Sequence, residues 1–103
     1  MYKILFKKIK QISQKYSQVP LTIVYTDTHM DNVKALVEVK GDEAFLYVNI
    51  FKSKSAEEII KAIAHEIAHI NVYKQGGRIN YHGVKHLNEM EYLYEKMMEE
   101  YNA

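Results

Sequence analysis

The apolar positions along the chain change period twice, and each change marks a new kind of element. Leu5, Ile9, Ile12 and Tyr16 recur three or four residues apart, the spacing of one helix face, so residues 2 to about 17 read as a helix. Pro20 ends that stretch, because the residue ahead of a proline avoids helical backbone angles. "LTIVYT" (21–26), "VKALVEVK" (33–40) and "AFLYVNIF" (44–51) are rich in β-branched and aromatic residues and read as strands. Gly41-Asp42-Glu43 is a short turn that predicts a hairpin between the last two.

Helical spacing returns at Ser55. With Glu58 three residues on, it forms a capping box, so a helix is expected from Ala56 to about Lys74. Gly76 or Gly77 should end it, since glycine takes the left-handed conformation that closes a helix. After "GGRINY" a last helix is expected over 83–101, carrying Leu87, Met90, Tyr94, Met97 and Tyr101 at steps of three and four, with Leu93 and Met98 beside them. Helix, small three-stranded and mostly antiparallel sheet, then two helices is an α+β plan, and with no linker, repeat or low-complexity segment residues 1–103 read as one domain.

Composition narrows the chemistry. A 103-residue domain sits near the lower end of what buries a self-sufficient core, so a metal or a partner subunit would help it. There is no cysteine, so disulfides and thiolate metal sites are excluded. The net charge of +1 argues against a nucleic-acid partner. Charge is nevertheless uneven: five lysines and no acid up to residue 15, against five glutamates and one lysine from Leu87 onward, so the two ends are complementary. The lysines of the first stretch read as the wet face of its helix. No apolar run approaches the roughly 20 residues that cross a bilayer, and "MYKILFKKIKQ" has no uninterrupted apolar signal core, so the expectation is a soluble cytoplasmic protein without a membrane partner.

Four of the five histidines lie in "HEIAHINVYKQGGRINYHGVKH", residues 65 to 86. On the expected helix Ile59, Ile60, Ile63, Ile67 and Ile70 gather within about a third of the circumference and form the burial stripe. His65 and His69 point elsewhere, one turn apart, so both imidazoles can reach one ion, with Glu66 a position round from them. Two imidazoles and a third ligand on zinc leave a position for water, whose pKa the ion lowers from 15.7 to about 7. Glu66 is then the candidate general base and acid. His82, His86 and Glu89 are the candidates for the third ligand, and the chemistry permits each of them. "DTHMD" (27–31) offers ligand types at Asp27, His29 and Asp31, but in alternating directions that do not suit a second metal.

"HEIAH" resembles the zinc-binding motif of the zincin metallopeptidases. That resemblance implies zinc on His65 and His69 with Glu66 as general base. The short chain and its helix, sheet and helix-helix plan resemble the minigluzincins, soluble minimal metallopeptidases whose third ligand is a histidine and which are latent through their C-terminal segments. "YHGVKH" is similar to the H-G-x-x-aromatic signature of SprT-like zincins, whose leading histidine binds zinc, which puts His82 first. His86 stands where that signature has an aromatic and so stays a candidate, while "NE" at 88 and 89 is similar in spacing to the thermolysin-type glutamate motif.

The resemblance implies a zinc-dependent endopeptidase acting on a peptide or protein, which lies as an added strand along a sheet edge; "AFLYVNIF" is the candidate edge. The last helix, 83–101, is expected either to pack on its own domain or to act as a latency segment or homodimer contact. The reading from a different class is a zinc-stabilised binding or assembly module that uses this helix.

Overall fold

A computed structural model describes residues 2–26, 34–49, 55–78 and 82–103, the side chains of 2–4 excepted. Its elements are α1 (Tyr2–Tyr16), β1 (Leu21–Thr26), β2 (Ala35–Lys40), β3 (Glu43–Asn49), α2 (Ala56–Lys74) and α3 (Val84–Asn102). This is the expected α+β layout. The "DTHMD" segment and residues 50 and 51 lie outside the described residues.

The sheet has the order β1-β3-β2. β2 and β3 form the predicted hairpin, antiparallel with Lys40 opposite Glu43, and Gly41 takes φ +61° in the turn. β1 pairs with β3 in parallel, from Leu21 opposite Ala44 to Thr26 opposite Asn49, so the sheet is mixed. Alternation places Ala44, Leu46 and Val48 of β3 on one fully buried face, with Leu21 and Ile23 of β1 and Ala35 of β2 beside them. That face meets the helices.

α2 starts as the capping box predicts, with Ser55 Oγ accepting the Glu58 amide N–H at 3.2 Å. It ends in a Schellman motif: Gly76 N–H donates to Tyr73 O at 3.0 Å and Gly77 N–H to Val72 O at 2.8 Å, with Gly76 at φ +100°. Any side chain at Gly77 would put its Cβ 2.6 Å from Val72 Cγ1 and 2.9 Å from Val72 O, so the turn needs glycine at both positions. Ile59, Ile60, Ile63, Ile67 and Ile70, the predicted stripe, are all buried.

α3 packs on its own domain. Leu93 and Met97 are buried in the core, and Met90, Tyr94, Met98 and Tyr101 pack against it. The charge asymmetry brings α1 and α3 together: Lys15 pairs with Glu100 at 2.6 Å, the Tyr16 hydroxyl donates to the same carboxylate, and Lys8 Nζ donates to Tyr101 O at 2.7 Å.

One buried polar residue joins three elements. Asn71, on α2, accepts the Gln18 amide N–H at 2.9 Å and donates to Tyr16 O at 3.0 Å and to Glu89 Oε2 at 2.8 Å. Replacing it with alanine strands these partners, so Asn71→Ala should cost about 1–3 kcal/mol in urea unfolding. A change below the error of the measurement would mean that water replaces all three bonds.

Candidate metal centre

The helical step of α2 sets His65 and His69 one turn apart on one side, with ring centroids 4.9 Å apart. His69 is buried and His65 half-buried. His82 lies just ahead of α3 with its ring 4.5 Å from His69 and 5.4 Å from His65. One donor atom from each of these three histidines falls within 4.8 Å of the others, close enough to bind a metal ion.

The donor set fits such an ion. Ligand nitrogens about 2.0–2.1 Å from a tetrahedral centre are about 3.4 Å apart, so side-chain rotations of about an ångström close the site. Imidazole without sulfur suits zinc, copper, iron or nickel. Burial lowers the pKa of His65 first, and the nearby His86 and His82 lower it further, a shift toward the neutral form a ligand needs.

The other two candidates for the third position are engaged elsewhere. Glu89 accepts the Asn71 amide, and His86 is buried with Nε2 3.1 Å from the main-chain oxygen of His65. Its ring stacks on that of His69, with centroids 4.1 Å apart and planes 25° apart. The converging group is His65, His69 and His82.

Comparison of the chain with protein-family models, curated proteins and solved structures finds no match.

Glu66 faces a half-open cleft of about 500 Å³, walled by His65 and Met90, by Ala62 and Lys61 of α2, and by Lys34 and Ala35 at the start of β2. Burial pushes its carboxyl up to about 7, where a carboxylate readily takes and returns protons near neutral pH. The strand beside this cleft is β2. The expectation that "AFLYVNIF" supplies a substrate edge fails, because β3 is the central strand with β1 on one side and β2 on the other. Strand order is a property of the whole sheet, and nothing in the composition of β3 distinguishes it from an edge.

Two further residues line the cleft beside the H-E-x-x-H and third-ligand candidates. Met90, on the apolar face of the last helix, brings its sulfur 3.3 Å from His65 Nδ1 and walls the cleft. His82, His86 and Met90 step by four residues, and that spacing is the signal that could have found it. Lys34, which also lines the cleft, has no such signal.

Proposed function

We propose that this chain is a zinc-dependent metalloendopeptidase that hydrolyses peptide bonds at His65, His69, His82 and Glu66. The observation that carries this reading is the convergence of three imidazoles around a helical H-E-x-x-H whose glutamate faces an open cleft beside a sheet edge. When bound by the three histidines, zinc supplies a Lewis acid that polarises a carbonyl and acidifies water.

The protein's own residues do the rest. Glu66 takes the proton of the attacking water as oxygen adds to the scissile carbonyl carbon. It returns that proton to the amide nitrogen as the C–N bond breaks, releasing the amine. The peptide lies along β2, whose outer edge offers backbone hydrogen bonds that select extended chains with little regard to side chain.

α3 bears on latency and on partners. Because Leu93 and Met97 belong to the core, a masking role for this helix would operate by displacement and not by excision. Self-association through α3 would use its exposed side chains, Val84, Leu87 and Tyr92. Among the described residues no helix is long and apolar enough to cross a membrane.

One observation favours a second reading. His82 is exposed and lies directly ahead of α3, so an ion shared with α2 would tie the two helices together across the loop, as in a zinc-stabilised binding module. Glu66→Gln separates the two. The peptidase loses cleavage and keeps its zinc; the module changes in neither respect.

A further inference from the structure

Four imidazoles gather at this site, and the proposed function uses three. The fourth, His86, is only 3 % exposed, lies inside the first turn of α3, and is within 5.2 Å, centroid to centroid, of the other three rings. We propose that His86 is a positioning residue and not a ligand: it locks the helical turn that carries His65 and His69, and through α3 it fixes where His82 meets them. The inference rests on the metal-site reading above and assigns the residue which that reading leaves unused.

The hydrogen bond sets the roles. A main-chain carbonyl only accepts, so the His86 nitrogen 3.1 Å from His65 O, Nε2, is the one that carries hydrogen. Within α2 the same carbonyl receives the amide N–H of the residue four positions on, which is His69. His86 therefore binds the backbone group that joins the two ligands across one turn. Its ring, stacked on His69 with planes 25° apart, at the same time limits rotation of that imidazole. The chain from His82 to His86 spans only Gly83, Val84 and Lys85, so an anchored His86 also restricts how far His82 can swing from the pair.

Histidine combines two capacities here that simpler residues have singly. Phenylalanine would keep the flat ring without the N–H, and glutamine would place an N–H near the Nε2 position without the ring. Partners that orient metal-binding imidazoles are typically worth about 10–100-fold in metal affinity.

The test is a titration of the full chain with Co²⁺ and with Zn²⁺, read by cobalt ligand-field absorption and by affinity, with circular dichroism reporting the fold. One equivalent is expected in the unaltered chain. His86→Ala should still take up one equivalent, with affinity lower by about 10–100-fold and altered cobalt bands as the His69 ring reorients. His86→Gln and His86→Phe should each fall between the two, and His82→Ala should lose tight binding.

If His86→Ala binds with unchanged affinity and spectrum, the positioning role is wrong. If it loses the ion as completely as His82→Ala while remaining folded, His86 is a ligand and the proposal falls. Should the alanine variant not fold, the glutamine and phenylalanine variants decide, and unchanged affinity in both overturns it. An unaltered chain that binds neither ion removes the metal-site reading itself, an outcome distinct from failure at His86 alone.

Discussion

Glu66→Gln is expected to lower peptide-bond cleavage by about 10²- to 10⁴-fold, the range over which a positioned acid and base contributes, with zinc affinity unchanged. The side chain keeps its length and shape but can no longer take up a proton. It lies outside the converging ligand group, so the ion should be held as before. The fold should not suffer either: burial disfavours the charged form of Glu66, and a neutral amide removes that penalty. The measurement compares the zinc-loaded full chain and its variant on a peptide mixture, alongside metal content and the urea unfolding transition. Equal cleavage by both would remove Glu66 from the mechanism. Two chains that each bind one zinc and cleave nothing would favour the binding-module reading.

Ending the chain at Asn88 is expected to abolish the folded state. That truncation removes Leu93 and Met97 from the core and Met90, Tyr94, Met98 and Tyr101 from its boundary. It also takes away Glu89, a partner of Asn71, and Glu100, which receives Lys15 and Tyr16. Burial of two such apolar side chains is worth about 3–6 kcal/mol, and a whole domain has about 5–15 kcal/mol of stability. The remainder cannot be expected to unfold cooperatively, and circular dichroism through a thermal ramp would reveal this. A truncated chain that stayed folded, kept its zinc and cleaved faster than the full chain would make α3 a removable mask.

Local signals were legible wherever a few neighbouring residues decide the geometry. Ser55 with Glu58 and Gly76 with Gly77 bracket α2 because a cap and a left-handed turn are settled within four or five residues. The isoleucine stripe marked one buried side of α2 and set His65 and His69 on another, but that second side is covered as well, since His69 and Val72 are also buried. The hairpin at Gly41 was equally local.

Long-range choices were not legible. The parallel pairing of β1 with β3 joins segments about 20 residues apart through no shared turn, so β3 became central without any mark in its sequence. His82 and His86 are one turn apart by spacing, and either could have joined His65 and His69. The choice depends on how the start of α3 packs on α2: His82, ahead of the helix, reaches the donor cluster, whereas His86 inside it reaches the His65 carbonyl. Asn71 resembled any polar residue near a helix end, because its three partners come from α1, the segment after it and α3.

The central claim is that three histidines, and no other side chain, hold one zinc ion with a position left for water. X-ray absorption of the zinc-loaded full chain addresses it directly. The expected result is one ion per chain in a shell of three imidazole nitrogens and one further oxygen at about 2.0–2.1 Å, lost in His69→Ala. A shell of four imidazoles, a protein carboxylate in the first sphere, or a chain that takes up no stoichiometric zinc would contradict it.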